Sequence, residues 1–458
     1  MVRHGIARWL GATASLFYDL ECEGAYPDGP LVVAANHPNA LLDPLIVFRS
    51  AGRLVRPLAK APLFSHPLIG PSLRALGGLP VYRRQDDPAL MGRNDRTFAA
   101  AVEALASGDA IQIFPEGQSH SGSELAPLRT GAARIALQAE AEHGWTLGVR
   151  VVPVGLTYAR KPFFRGDALA VVGEPIPVAD FREAHRDDPQ AAARELTALL
   201  EARLRAVTVN VPATAQRRLV DTAERMWARE RGVAGWRERS TLADRVPRLR
   251  AFAHGLVRLR EEDPVRYAEL SDRVARYRRL ADALGAGETA EVPPETGAGD
   301  VVRFIAVRGL PLVAASLLAG LGAAAWAAPY LLPRLILRFA SLREDEIATW
   351  KLVPSVLAYP AMYAVWLVLA WRAGGPIAAL VATIALPLLG AIAVAWRERI
   401  RDAAEDVRLF FRTAARPELV ARLARERGSL VAEFDRLAER FGVAGPAPAD
   451  EPGAGARD

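Results

Sequence analysis

Three apolar runs lie within residues 310–396 of the chain: Leu310–Leu332, Leu352–Trp371 and Pro376–Trp396. A helix needs about 20 predominantly apolar residues to cross a bilayer, and each run is close to that length. The C-terminal part of the chain is therefore expected to be embedded in a membrane. Trp326, Tyr330, Trp366, Trp371 and Trp396 sit where interfacial anchors belong. Arg303 and Arg308 precede the first run, Arg334, Arg338, Arg343 and Lys351 separate the first from the second, and Arg397, Arg399 and Arg401 follow the third. Only Arg372 occupies the short Arg372–Gly375 turn. If the basic stretches share one side, the last two runs form a hairpin. The first run then dips in and returns, which its glycines, Pro329 and Pro333 permit. Three full crossings would instead put the tail outside, and the hairpin is the reading preferred.

The rest of the chain is globular in composition, because 51% hydrophobic with 24% charged residues overall excludes a disordered polymer. The single cysteine, Cys22, excludes an intrachain disulfide and a cysteine-built metal cage. The net charge of +6 is carried almost wholly by arginine, the lysines being Lys60, Lys161 and Lys351. A mildly basic chain with apolar segments suits an anionic membrane surface. Zinc-finger spacing and an aromatic–basic sheet motif are both missing, which argues against a nucleic-acid partner.

Ile6, Trp9, Leu10, Thr13, Phe17 and Leu20 recur at helical spacing, so residues 1–22 are expected to form an amphipathic helix that lies on a membrane or covers the next domain. From Gly29 to about Val178, short β runs alternate with helical stretches. Strands are expected at Leu31–Ala35, Ala110–Phe114, Val149–Tyr158 and Ala168–Val172, with helices at Thr97–Ala106 and Gly131–Glu142. This alternation defines an α/β layer fold, whose functional loops follow the carboxyl ends of strands. An arginine-rich helical region follows, with Gly285–Asp300 as a linker, and the tail carries Leu430, Phe434, Leu437 and Phe441 on one helical face. The expected division is an N-terminal helix (1–22), a catalytic α/β domain (23–215), a helical region and linker (216–300), membrane-embedded helices (301–397) and an amphipathic tail with a disordered end (398–458).

Four blocks in the α/β region carry chemistry. The first, Asn36-His37-Pro38-Asn39-Ala40-Leu41-Leu42-Asp43, follows a strand. A carboxylate accepting one imidazole N–H fixes the tautomer and leaves the other nitrogen free as a base. The second, Gly77-Gly78-Leu79-Pro80-Val81-Tyr82-Arg83-Arg84, ends a short β run in two arginines, the residue suited to bidentate phosphate recognition. The third, Phe114-Pro115-Glu116-Gly117-Gln118-Ser119-His120, again follows a strand and continues through Arg129 into a helix. Its glycine lets backbone approach a ligand, and the helix start can receive an anion. The fourth, Val152-Pro153-Val154-Gly155, is a strand forming the floor of the site.

These four blocks, in this order, resemble the glycerolipid acyltransferase family, which includes glycerol-3-phosphate and 1-acylglycerol-3-phosphate acyltransferases. The resemblance covers roughly residues 20–215. Five residues separate His37 from Asp43, where the commonest family pattern has four. That spacing, together with Glu116-Gly117-Gln118-Ser119-His120, is similar to the fungal-type glycerol-3-phosphate/dihydroxyacetone-phosphate acyltransferase branch. The resemblance implies a glycerophosphate acyltransferase-like layered α/β domain. It implies His37 as general base, Asp43 as its orienting partner, and Arg83, Arg84, Glu116, Gly117, Ser119 and Arg129 in the acceptor site. His120 is adjacent enough to be a further contact. It also implies no metal and no cofactor beyond acyl-CoA or acyl-carrier protein as co-substrate. The acceptor is glycerol phosphate or, as the alternative, lysophosphatidate. The expected location is the inner, cytoplasmic membrane with the catalytic domain facing the cytoplasm. A non-catalytic lipid-binding scaffold is the competing class, disfavoured because His37, Asp43, Arg83 and Glu116 are all present.

Overall fold

The computed structural model describes residues 2–67, 69–83, 88–122, 124–159, 161, 164–212, 214–232, 241–284, 305–339 and 344–441. The linker Gly285–Asp300, Arg84 and the end of the tail lie outside the described residues. Two compact units divide the chain. The first comprises Met1–Thr214, Thr241–Arg250 and Leu342–Thr349, and the second the remainder. The first unit thus gathers two short later segments that a linear division at residue 215 leaves out.

The first unit is built on a mixed sheet of eight strands: β1 (Tyr18–Glu23), β2 (Leu31–Ala35), β3 (Val55–Lys60), β4 (Leu79–Val81), β5 (Ala110–Ile113), β6 (Arg150–Tyr158), β7 (Gly166–Val172) and β8 (Ile176–Pro177). Their order is β1-β7-β6-β2-β5-β3-β4, with β8 on β6. Pairing is parallel throughout except where β7 and β8 meet β6. Every residue of β2 is buried, as expected of a central strand covered on both faces, which reads as a continuous apolar run. On one face, α4 (Asn94–Ala106), α5 (Gly131–Glu142) and α7 (Pro189–Val207) bury Ile111, Val32 and Val151 together with Leu105, Ile135 and Leu200. Helices α1 (Val2–Phe17) and α2 (Leu42–Ala51) pack on each other. Gly155 of β6 passes so close to the end of α7 that a Cβ there would lie 2.2 Å from the Val207 carbonyl oxygen.

The amphipathic N-terminal helix is shorter than its sequence pattern suggests. It ends at Phe17, and residues 18–23 continue as β1, paired in parallel with β7. Leu20 is therefore a strand residue, and its helical spacing from Phe17 is coincidental. Ala7, Gly11, Ala14 and Phe17 are buried, while Trp9 and Leu16 stay exposed.

In the second unit, α8 (Thr214–Glu230), α10 (Pro264–Ala283) and the tail helix Pro417–Phe441 carry the arginine-rich surface. Much of that charge is paired: Arg273 binds Glu426 and Glu433, and Arg427 binds Glu230. The apolar stripe of the tail is a packing face, with Leu430, Phe434 and Phe441 buried. Leu310–Ala325 and Ala327–Ile336 meet at a bend of 59°. The helical stretch Glu344–Ala414 is interrupted at Gly374 and at Gly375, which has φ 67° and ψ −158°, a backbone region open essentially to glycine alone. In a straight helix Tyr363 and Thr383 would lie about 30 Å apart. Here the Tyr363 hydroxyl donates to the Thr383 carbonyl at 2.9 Å, so the stretch folds back into two antiparallel arms. Three indole N–H groups stitch the bent pair to these arms: Trp326 to the Leu386 carbonyl, Trp366 to that of Ala325 and Trp396 to that of Leu312. The outward faces of the arms expose Leu357, Val368, Leu380, Ile384 and Leu388, an apolar surface of the kind that meets lipid.

Spin labels at Leu357 and Leu388, with Cys22 replaced by Ser, test the fold-back in reconstituted protein. A straight helix puts these positions about 45 Å apart, whereas two packed arms put the labels within about 20 Å. A measured distance near the longer value removes the hairpin.

Candidate active site

The parallel alignment of β2, β5, β3 and β4 carries their carboxyl ends to one edge of the sheet, and three of the four sequence blocks emerge there. Immediately after β2, the Asn36 side-chain amide substitutes for backbone. It donates to the Leu156 carbonyl at 3.0 Å and accepts from the Leu156 N–H at 2.6 Å, extending the β2–β6 ladder by one step. This fixes the direction in which His37 leaves the sheet.

The loop then turns sharply through Ala40, which has φ 39°, and enters α2, whose second residue is Asp43. His37 Nδ1 lies 2.8 Å from Asp43 Oδ2, the histidine side chain being 18% exposed and the aspartate 0%. Asp43 Oδ2 also accepts the Asn39 N–H at 2.7 Å, and Oδ1 accepts the Tyr158 hydroxyl. A buried carboxylate is tolerated only when its lone pairs are filled, and here three donors fill them. Because the carboxylate accepts, His37 Nδ1 carries the proton and Nε2 holds the lone pair. Among the described residues nothing bonds Nε2. The hydrogen-bonded chain continues from Asn39 Nδ2 to the Tyr18 hydroxyl, which donates to the Lys161 carbonyl. Burial, reinforced by the Asp43 charge, pushes the Tyr158 hydroxyl well above the usual phenol range, and burial raises Tyr18 as well. Both phenols therefore remain donors at any neutral pH.

The other side of His37 is built by the loop after β5. The Phe114 ring stacks on the imidazole with centroids 3.9 Å apart and planes 11° from parallel. Glu116, 4% exposed, accepts the His37 backbone N–H on Oε1 at 2.8 Å. Its Oε2 receives the Ala126 N–H at 2.8 Å and His120 Nε2 at 2.5 Å. The Gly122 N–H donates to His120 Nδ1 at 3.1 Å, so the His120 proton sits on Nε2 and points at Glu116. The His120 N–H returns to the His37 carbonyl at 3.1 Å. The two loops are thus laced together through Glu116 and His120.

Gly117 has φ 77°, and a Cβ there would lie 2.7 Å from Arg129 Nε. The Arg129 guanidinium therefore packs over the glycine, while Arg83 Nη1 donates to the Gly117 carbonyl at 3.2 Å. Two guanidinium groups from separate loops converge on one glycine, a residue away from the carboxylate that holds His37. Ser119 lies half-buried in the same loop. Arg84 lies outside the described residues. Among the described residues, no group of three or more His, Cys, Asp or Glu side chains comes together as a metal would require.

The resemblance puts Glu116 in the acceptor site; in the structure both its oxygens bond groups of the two loops. The contacts of Asn39, Tyr18, Tyr158 and the Phe114 ring carry no local signal in the sequence. Tyr158 lies in a stretch that stands out only as a strand, and nothing in its spacing announces a bond to a residue 115 positions away.

Residues 19–157, within the first unit, match the family model described as Acyltransferase. The chain is 27% identical over 291 residues to glycerol-3-phosphate O-acyltransferase 2 of Saccharomyces cerevisiae, covering 60% of this chain and 38% of the relative. It is 26% identical over 186 residues to the chloroplastic 1-acyl-sn-glycerol-3-phosphate acyltransferase BAT2 of Brassica napus, covering 38% of this chain and 50% of that one. The chain thus spans half or less of the length of these relatives. Among solved structures it matches the 1-acyl-sn-glycerophosphate acyltransferase PlsC of Thermotoga maritima at 22% identity and a TM-score of 0.34, over 45% of this chain and 79% of that one.

Replacing Tyr158 by Phe leaves Asp43 Oδ1 buried without this donor and is expected to cost about 1–3 kcal/mol of stability. The raised tyrosine values also give a pH signature. Unfolded tyrosine ionises near pH 10. The stability held by the neutral phenols is complete below that pH and is lost as pH rises above it, because the unfolded chain then releases protons that the folded one retains. Thermal unfolding in detergent should fall more shallowly above about pH 10 in Tyr158→Phe than in the parent, and equal slopes would remove this account.

Proposed function

We propose that the chain is a membrane-bound O-acyltransferase that moves a fatty acyl chain from acyl-CoA or acyl-carrier protein to glycerol 3-phosphate or dihydroxyacetone phosphate. The observation carrying this reading is the His37–Asp43 pair, with its Nε2 lone pair unbonded among the described residues, on a loop bonded through Glu116 to the loop where Arg83 and Arg129 meet at Gly117.

In this reading the acceptor phosphate is held by Arg83 and Arg129, with Arg84 and Ser119 as further contributors. His37 Nε2 takes the proton of the acceptor hydroxyl as its oxygen attacks the thioester carbonyl. Asp43 stabilises the imidazolium that forms and keeps the ring from rotating. The tetrahedral oxyanion collapses, the carbon–sulfur bond breaks, and His37 returns its proton to the leaving thiolate. Bonds and protons balance without a metal or redox cofactor. Glu116 acts one step back: it clamps the His37 main chain and is a positioning residue.

The five-residue spacing between His37 and Asp43, and the relationship to the yeast glycerol-3-phosphate O-acyltransferase, favour the first acylation step. Acylation of a 1-acylglycerol 3-phosphate is the second reading, favoured by the Brassica relative. The apolar hairpin supports membrane attachment. Its two antiparallel arms bring the basic flanks at Lys351 and Arg397–Arg401 to one side, and the positive-inside rule makes that side cytoplasmic. The reading therefore sets the enzyme in the inner membrane with its catalytic unit in the cytoplasm.

Reconstituted full-length protein supplied with labelled acyl-CoA and either glycerol 3-phosphate or 1-acylglycerol 3-phosphate separates the two acceptors. Faster labelling of glycerol 3-phosphate is expected. His37→Ala should lower turnover by about 10²–10⁴-fold, the usual worth of a general base, with the fold intact. Arg83→Ala should chiefly raise KM for the acceptor. No labelling of either acceptor, from acyl-CoA or from acyl-carrier protein, would overturn the proposal, as would full activity in His37→Ala.

A further inference from the structure

Helix α2 orients Asp43 in its first turn, yet the start of this helix has no cap of its own. Leu41 occupies the N-cap position, and no side chain there bonds the first turn. Serine, threonine, aspartate or asparagine normally fills that position, and replacing such a cap costs stability. The loop before it is also strained, since Ala40 sits at φ 39° without being glycine. Pro44, in the same turn, has no N–H. The Leu42 N–H is satisfied locally by the Asn39 carbonyl at 3.0 Å. The Leu41 N–H donates instead to Thr349 Oγ1 at 3.2 Å, a side chain 308 positions further along the sequence.

Thr349 belongs to the short Leu342–Thr349 segment that the catalytic unit recruits from the C-terminal half of the chain. In sequence it is the residue immediately before Trp350 and the first apolar arm. We infer that Thr349 is a positioning residue for the His37–Asp43 pair: its hydroxyl supplies, from a remote segment, the cap that α2 lacks, and so fixes the first turn on which Asp43 rides. The link runs from Thr349 to the Leu41 N–H, to the start of α2, to Asp43 Oδ2 and to His37 Nδ1. Loss of the cap leaves every atom of the dyad in place but releases the turn that aims it.

The kinetic arm of the test rests on the acyltransferase reading, so the experiment has a second arm that does not. Thr349→Val keeps the shape and removes the hydroxyl, and Thr349→Ser restores it. In reconstituted full-length protein, Thr349→Val should lower kcat about tenfold, about 1.4 kcal/mol in the barrier, with KM for acceptor and donor unchanged. Thr349→Ser should recover most of the loss. In the second arm, hydrogen–deuterium exchange is followed in a peptide spanning residues 38–48. It should be faster in Thr349→Val than in the parent and close to the parent in Thr349→Ser. If the parent protein acylates nothing, the function proposal fails while the exchange arm still decides the cap. Unchanged exchange in Thr349→Val, or equal loss of kcat in the Val and Ser variants, overturns the inference.

Discussion

The buried Asp43 carboxylate is the interaction on which the rest of the site depends. An ionised group fully removed from water is unstable unless its lone pairs are occupied, so the fold must bring donors to it. It draws on the Asn39 backbone, the His37 ring and the Tyr158 hydroxyl, the last arriving from the far end of β6. Meeting that demand fixes the imidazole. His37 cannot rotate without leaving Asp43 short of a donor, so its proton stays on Nδ1 and its lone pair stays on Nε2.

The sheet makes this possible. β2 and β5 run side by side and in parallel, so the loops after them leave the same edge. One loop brings His37, and the other brings Phe114 to stack on its ring and Glu116 to hold its main chain. Glu116 serves the protein first, because its oxygens are used up in joining the two loops. Gly117 then turns the chain at a positive φ and lets Arg129 pack where a side chain would otherwise stand. The pair of guanidinium groups and the orientation of His37 are consequences of one loop geometry.

How much of this is legible in the sequence depends on how local the determinants are. β2, β5 and β6 announce themselves because a strand buried on both faces is a continuous apolar run, as in Leu31–Ala35. β1 hides, since Tyr-Asp-Leu-Glu-Cys-Glu is polar at alternate positions and lies at the sheet edge, straight after an amphipathic helix whose spacing runs on into it. β3 is broken in appearance by Pro57. The fold-back at Gly374–Gly375 is readable because two glycines and a proline punctuate an apolar run. His37, Arg83, Glu116 and Gly117 stand out as residue types after strand ends, and Asp43 by its spacing from His37. Tyr18, Tyr158 and Thr349 do not, because their contacts join residues more than a hundred positions apart and only the completed fold creates them.

The Asp43 carboxylate holds the proton of neutral His37 on Nδ1 and leaves the lone pair on Nε2. Nitrogen-15 spectra of the reconstituted protein, labelled at histidine and assigned by difference against His37→Asn, read this directly. Neutral His37 is expected to show its proton on Nδ1 and an unprotonated Nε2. A neutral ring protonated on Nε2, or an even mixture of the two tautomers, would contradict it.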